Sequence, residues 1–287
     1  MQTTASRLFC MNEYDPLRKV LLCEPQHMRI SEVINETQRH YVDDNIDQDL
    51  AAEQHDTFVQ SLRQHGVDAV LLPQNEDYPE QVFTRDVGFT IGEQLFVSHM
   101  GRGIRQGEDD ILIHWLEDQH YPYHNLTRNS IEGGDVIIDG DTVFVGVSGR
   151  TSENAIHNLT SLLPDHSVVF LPIDRSYLHL DCVFNLISPE EALVFPPALD
   201  REGFEKISSR YDLIQVDESE QFRLGTNVLS IGNKKAFSLP VNVKVNSELR
   251  RRGYDVIEVD LSEIIKSGGS FRCCTLPLLR AVGMGNP

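Results

Sequence analysis

The sequence predicts an α/β fold built from five similar strand-strand-helix-strand units set around an axis. Two observations predict it. Polar residues that open short apolar strands recur at Asp86, Asp135, Asp181, Asn227 and Cys273, with separations of 49, 46, 46 and 46 residues, and a fixed period of this size marks a repeat architecture. The segments also look alike: Thr-Arg-Asp86-Val-Gly-Phe, Gly-Gly-Asp135-Val-Ile-Ile, His-Leu-Asp181-Cys-Val-Phe, Gly-Thr-Asn227-Val-Leu-Ser and Phe-Arg-Cys273-Cys-Thr-Leu. Units arranged around an axis would bring these five positions into one pocket of three carboxylates, an amide and a thiol, with His179 and Glu132 a few residues away.

The elements follow in order. One unit is divided between the two termini: Val20 to Cys23, a long helix around Leu50, Phe58, Val59 and Leu62 ended by Gly66, and Ala69 to Leu72, with its first strand supplied by Cys273 to Leu279. That C-terminal strand closes the fold and removes an exposed sheet edge. The next unit reads Asp86 to Ile91, Gln94 to Ser98, a helix around Ile111, Leu112, Trp115 and Leu116, then Tyr123 to Leu126. In the third, Val136 to Ile138 and Thr142 to Val147 flank Asp139-Gly140, a two-residue hairpin signal. Ser152 caps a helix with Ala155, Ile156, Leu159, Leu162 and Leu163 on one face, Pro164 stops it, and Val168 to Leu171 follows. The fourth has Val183 to Ile187, Leu193 to Phe195, a helix opened by Asp200 with Phe204 and Ile207 inward, and Leu213 to Val216. The fifth has Val228 to Ile231, Ala236 to Leu239, a helix with Val245 and Leu249 ended by Gly253, and Val256 to Val259. The repeats run through all 287 residues without a Gly/Ser/Pro-rich linker, so one domain spanning 1–287 is expected. The polar stretch Met28 to Gln48 faces no obvious core and reads as a mobile cover.

Composition narrows the function. A formal charge of −19 disfavours a grip on nucleic-acid phosphates or anionic lipid and favours attraction of cationic small molecules. Met1 to Met11 lacks a signal-peptide run and no stretch approaches membrane-spanning length, so the cytoplasm is the expected location. Five cysteines without zinc-type spacing fit reduced thiols. Adjacent Cys273 and Cys274 on a strand would point to opposite faces, leaving one of them in the pocket.

The pocket residues suggest a chemistry. A lone cysteine in an acidic protein is usually a small buried apolar residue, but Cys273 shares the period of Asp86, Asp135 and Asp181. As a nucleophile it needs its thiolate and a nearby cation, either charged His179 or the substrate. His179 and Asp181, two apart on a strand, would share a face; by themselves they could equally be a satisfied core hydrogen bond. Glu132-Gly-Gly-Asp135 presents carboxylates from a tight bend, and Asp86 stands beside Arg85. Carboxylates so dense raise one another's pKa unless a cation enters, and a guanidinium, planar and rich in donors, matches them edge to edge. A metal competes for the same ligands, but they come singly, without zinc or calcium spacing.

Phe-Thr-Arg-Asp86, Glu132-Gly-Gly-Asp135, His179-Leu-Asp181-x-x-Phe and Gly-Gly-x-x-Arg-Cys273 occur in the order seen in the guanidino-group modifying superfamily, also called the amidinotransferase or pentein superfamily. The chain resembles its arginine deiminases and dimethylarginine dimethylaminohydrolases over nearly its whole length. The resemblance implies a fivefold pseudosymmetric α/β propeller, no metal or organic cofactor, and a covalent mechanism. Cys273 would attack the guanidinium carbon, and His179 would protonate the departing amine and then activate water. Asp86, Glu132 and Asp181 would hold the guanidinium nitrogens. Arg105 and Arg150 match the positions that clamp the substrate carboxylate, and Arg85, Asp135 and Asn35 complete the expected substrate-binding set. A homo-oligomer is compatible with this reading.

The substrate is divided between relatives. The compact length resembles dimethylarginine dimethylaminohydrolases, whereas Asp181 and Thr-Arg-Asp86 resemble deiminases. Two methyl groups would leave a carboxylate oxygen buried and unpaired at a cost of roughly 1 to 3 kcal/mol, which argues for unmethylated arginine. Arginine dihydrolases, which release ornithine, share the Cys23-Glu-Pro…Val-Ile-Asn35 lead-in but carry Asn in place of Asp86. Amidinotransferases use the same residues with an amine acceptor. A ribosome anti-association factor shares the propeller without the catalytic set, and an arginine-binding pentein that does not turn over is the remaining alternative.

Overall fold

The computed structural model describes residues 8–281; residues 1–7, part of the stretch read for a signal peptide, lie outside them. Among the described residues, fifteen strands form five three-stranded sheets. The sheet shared by the termini holds β1 (Leu17–Leu22), β2 (Asp68–Leu71) and β15 (Leu276–Arg280); the second holds β3 (Gly88–Ile91), β4 (Gln94–Val97) and β5 (Tyr123–Asn125). The third holds β6 (Val136–Asp139), β7 (Thr142–Val147) and β8 (Ser167–Pro172); the fourth β9 (Phe184–Leu186), β10 (Glu191–Val194) and β11 (Asp212–Gln215); the fifth β12 (Leu229–Gly232), β13 (Lys235–Ser238) and β14 (Asp255–Glu258). In every sheet the middle strand runs antiparallel to the strand nearest the site and parallel to the outer one. The parallel step needs a crossover, and a helix supplies it each time: α2 (Gln48–Gln64), α3 (Glu108–Asp118), α4 (Glu153–Leu162), α5 (Arg201–Ser208) and α7 (Val243–Arg251), with short α1 (Glu36–Tyr41) and α6 (Glu218–Gln221) between.

Local chemistry fixes the helices. Ser152 accepts from the Ala155 amide and Asp200 from the Gly203 amide, capping α4 and α5. Gly66 and Gly253, both at positive φ, end α2 and α7. Helix α2 buries Ala51, Phe58, Val59 and Leu62, and α4 buries Ala155, Ile156 and Leu159. Leu50 and Leu162, expected on those faces, are exposed instead, because each falls on the solvent side of its turn. Among the described residues, no helix is long and apolar enough to cross a membrane.

Three expectations need correction. Cys273 and Cys274 lie in a turn ahead of β15, with the Cys274 amide bonded to the Ser270 carbonyl, so strand alternation does not separate them and both are buried. Asp135, His179 and Asp181 likewise sit at 3-10 turns before β6 and β9, and Asp86 sits in a turn before β3. Residues 28–48 do face a core: Met28, Ile30 and Ile46 join the main apolar cluster. Buried Gln38 of α1 donates to Glu80 Oε1 (2.7 Å) and Ser267 Oγ (2.7 Å), and Ser267 donates to Glu80 Oε2 (2.8 Å).

This triad joins the covering segment to the loop before Cys273. Burial raises the Glu80 pKa from 4.5 to about 7, against the lowering pull of Arg105. The folded chain therefore holds this proton to higher pH than the unfolded chain, and stability present below pH 4.5 is lost as pH rises through 7. Glu80→Gln should remove that slope. In urea titrations the native chain should lose on the order of 3 kcal/mol relative to the variant between pH 4.5 and 7.5; parallel curves would assign the coupling elsewhere.

Candidate active site

The turns preceding the five inner strands are tied one to the next. The Gly133 amide donates to the Asp86 carbonyl (3.0 Å), the Leu180 amide to Asp135 Oδ1 (2.8 Å), and Asn227 Nδ2 to the Asp181 carbonyl (3.3 Å). The Arg272 amide donates to Asn227 Oδ1 (3.1 Å), and the Arg85 amide to the Cys273 carbonyl (3.0 Å). The circuit returns to its start and gathers the recurring polar residues at one place. Gly133 and Gly134 are required there. A Cβ at 133 would lie 2.1 Å from the Arg85 carbonyl oxygen, and one at 134 would lie 2.8 Å from both Asp86 Oδ1 and His179 Nδ1.

His179 is the buried centre of the cluster. Its Nε2 meets Glu132 Oε2 at 2.6 Å, and its Nδ1 lies 3.6 Å from Asp86 Oδ1. Burial pushes its pKa down, but Asp86 and Glu132, with Asp135, outweigh that and raise it to about 10. Glu132 is held well below the carboxylate range: burial opposes this, while the bond to His179 and the Arg150 charge prevail. Its oxygens also accept from the Gly101 amide (2.9 Å) and Arg150 Nη1 (3.2 Å). Glu132 thus holds the His179 ring and is fully occupied, rather than standing open to hold a guanidinium.

Two carboxylates keep capacity. Asp86 gives Oδ2 to Arg105 Nη1 (2.6 Å), while its buried Oδ1 and His179 Nδ1 have no hydrogen-bond partner among the described residues. Asp181 lies 3.8 Å from Cys273 Sγ through both oxygens, 3.6 Å from Cys182 Sγ, and 3.3 Å from Arg272 Nε. Burial raises its pKa, opposed by Arg272 and then His179. Cys273 Sγ also receives Asn227 Nδ2 at 3.1 Å.

The other expected residues are placed as follows. Arg105 is spent on Asp86 and Glu108. Arg150 pairs with Glu132, donates to the Ile34 carbonyl, and lines a cleft of about 270 Å³ with Asn35, Arg39, Arg102 and Tyr177. A smaller adjoining recess reaches Cys182 and Gly268. Asn35 caps α1 and donates to the Ser267 carbonyl. Asp135 accepts from Ser148 and the Leu180 amide, and burial raises its pKa to about 6; it holds the turn that carries His179. Arg85 points to Glu13 (3.2 Å), not to the cluster. Glu13, which sequence reasoning missed, also grips Arg272 (2.7 Å).

Donors of Asp86, Glu132 and His179, and of Asp181, Cys182 and Cys273, lie within 4.8 Å of one another in each group. Arg105 and Arg150 already pair with the carboxylates of the first group, and the second already faces the Arg272 cation. The arrangement instead suits a planar organic cation beside a thiol, with a proton donor at hand.

The family described as N,N dimethylarginine dimethylhydrolase, eukaryotic, matches residues 24–280. The uncharacterized protein YkgA of Bacillus subtilis is 54% identical over 94% of this chain and 95% of its own length. The dimethylarginine dimethylaminohydrolase of Mycobacterium tuberculosis is 30% identical over 75% of this chain and 70% of its own. The solved N-terminal domain of ArgZ, an arginine dihydrolase from cyanobacteria bound to substrate, superposes with a TM-score of 0.84 at 26% identity, covering 91% of this chain and 98% of that one.

The two glycines give a paired test. Gly133→Ala meets backbone and should abolish the cooperative melting transition, whereas Gly134→Ala meets side chains. The latter should fold yet turn over about 100-fold more slowly, since small displacements of reacting groups cost that much; full activity in Gly134→Ala would mean that Asp86 and His179 tolerate displacement. The α/β fold of five three-stranded sheets, the four motifs and the matched relatives together place this chain in the dimethylarginine dimethylhydrolase family, within the guanidino-group modifying pentein superfamily.

Proposed function

We propose that this chain hydrolyses a carbon–nitrogen bond of the guanidino group of arginine, or of an N-ω-methylated arginine, to give citrulline. The observation that carries the reading is a buried His179 set between Asp86 and Glu132, whose charges favour its protonated form, with Asp181 against the Cys273 sulfur. Asp86 Oδ1 and Asp181 accept the guanidinium N–H groups, placing its carbon against Cys273. The Cys273 thiolate adds to that carbon. His179 passes a proton from Nδ1 to the leaving nitrogen, the amine departs, and an amidino thioether remains. Neutral His179 then takes a proton from water as the water adds to the same carbon. Collapse expels the thiolate and leaves a urea. The buried carboxylates act on the developing charge in a low-dielectric site, where such groups are worth most.

The same reading takes the chain as one catalytic domain whose units close into a ring. Support comes from the antiparallel pairing of β15 with β1 and from the circuit of bonds among the turns. Two carboxylates that need N–H partners support unmethylated arginine over dimethylarginine. A second reading, release of ornithine, draws on the likeness to ArgZ.

The test is incubation of purified protein with arginine, asymmetric dimethylarginine and agmatine, with ammonia, dimethylamine, citrulline and ornithine measured. Citrulline with ammonia is expected from arginine. Ornithine instead selects the dihydrolase reaction, turnover only with an added amine selects transfer, and silence with every substrate refutes an enzyme of this class. Cys273→Ser should abolish turnover and keep substrate binding. Cys274→Ser, whose thiol burial drives well above the ordinary range, should keep most activity. His179→Ala should abolish hydrolysis, seen as loss of citrulline and ammonia, because neither expulsion of the amine nor attack by water then has its proton carrier.

A further inference from the structure

Asn227 has the same place in its unit as Asp86, Asp135 and Asp181 have in theirs, but it carries an amide where they carry acids. Its side chain is fully buried. Oδ1 accepts from two consecutive backbone amides, Arg272 and Cys273, each at 3.1 Å. Only an oxygen can accept both, so the orientation of the amide is fixed by its neighbours. The nitrogen is therefore turned to the other side, where it donates to Cys273 Sγ at 3.1 Å and to the Asp181 carbonyl at 3.3 Å.

The sulfur is otherwise poorly placed to carry negative charge. Both Asp181 oxygens stand 3.8 Å away. The Cys182 thiol, within 4.8 Å, hydrogen-bonds to the Cys273 sulfur but is only a weak donor, and buried Cys274 is the next residue. Arg272 acts on the sulfur electrostatically, but its guanidinium is gripped by Glu13 at 2.7 Å and faces Asp181 at 3.3 Å. The N–H of Asn227 is the shortest donor contact of this sulfur among the described residues. A buried anion without a donor is costly, and a hydrogen bond to an ionised acceptor is about twice as strong as one between neutral groups.

We infer that Asn227 is a catalytic residue: its side-chain N–H holds the Cys273 sulfur as the reactive thiolate while its carbonyl fixes the turn that aims it. The catalytic consequence rests on Cys273 being the nucleophile, but the sulfur's reactivity is measurable with no substrate present. Asn227→Asp keeps the acceptor and removes the donor, toward the sulfur and toward the Asp181 carbonyl, which is why the comparison requires matched melting behaviour. The carboxylate still accepts both backbone amides, but it puts an acceptor rather than a donor against the sulfur.

The experiment is alkylation of Cys273 by iodoacetamide, followed by mass spectrometry of its peptide, in native and Asn227→Asp protein of matched melting behaviour. At pH 7 the variant should react at least tenfold more slowly. Turnover at pH 7 should fall by at least the same factor. Native-rate alkylation of the variant at pH 7 overturns the inference and leaves Asn227 a structural clamp. Should Asn227→Asp fail to fold, the side-chain amide proton resonances of Asn227 decide: they should move when Cys273 is alkylated in the native chain, and unmoved resonances overturn it. Slowed alkylation in a protein that turns over no guanidine sustains the inference and refutes the proposed reaction instead.

Discussion

The five turns ahead of the inner strands are stitched into a circuit of hydrogen bonds, and the rest of the site depends on it. Each link uses buried groups, from the Asp86 carbonyl through Asp135, Asp181 and Asn227 to Cys273 and back to the Arg85 amide. Breaking one link strands a buried polar atom at a cost of about 1 to 3 kcal/mol, so no turn shifts independently. The circuit also forces acids together, and those acids must be neutralised where they stand. Arg105 serves Asp86, Arg150 and His179 serve Glu132, and Arg272 serves Asp181. Removing one partner from such a buried pair typically costs 3 to 5 kcal/mol, because the remaining charge is left unpaired. Backbone circuit and charge pairing therefore stand or fall together.

That pairing is uneven in a way that bears on chemistry. Glu132 is saturated by an imidazolium, a guanidinium and an amide, and so serves to fix His179. Asp86 and Asp181 are each paired from one side and keep the other toward the interior. Gln38, Glu80 and Ser267 bind α1, which lines the neighbouring cleft, to the loop that carries Cys273, so the cleft wall and the thiol are held in one hydrogen-bonded unit.

Much of this was legible in the chain. The 46-residue period located all five inner strands, Asp139-Gly140 located the β6–β7 hairpin, and Ser152 and Asp200 located helix starts, because each signal is local or strictly repeated. What escaped was of two kinds. Short elements made of polar residues, α1 and α6, have too few apolar positions to show a helical stripe, and Gln38 looks like a surface residue until its partners at 80 and 267 are known. Turn and strand were also confused at Asp135, His179, Asp181 and Cys273: the recurring polar residue marks the 3-10 turn or bend that precedes the strand, not its first pleat. The burial of Arg105 on Asp86 and of Glu13 on Arg272 had no signal in spacing, since the partners are 19 and 259 residues apart. Asn227 did have one, as the only amide in a periodic series of acids and a thiol.

In the proposed reaction the acids that accept a guanidinium also oppose the thiolate that would attack it, and the geometry divides the labour. Negative charge near the sulfur comes from Asp181, which Arg272 offsets from behind. The second acid, Asp86, is offset by Arg105 on its far oxygen and faces the imidazolium with its near one. On that reading a guanidinium between Asp86 and Asp181 would add positive charge beside the sulfur, so that ligand binding and nucleophile formation would favour each other. It would also weaken the hold of Asp86 on the His179 proton, easing transfer to the leaving nitrogen. On this reading the cation adds to the hold that the Asn227 amide already has on the sulfur, so the charges and the amide act in the same direction.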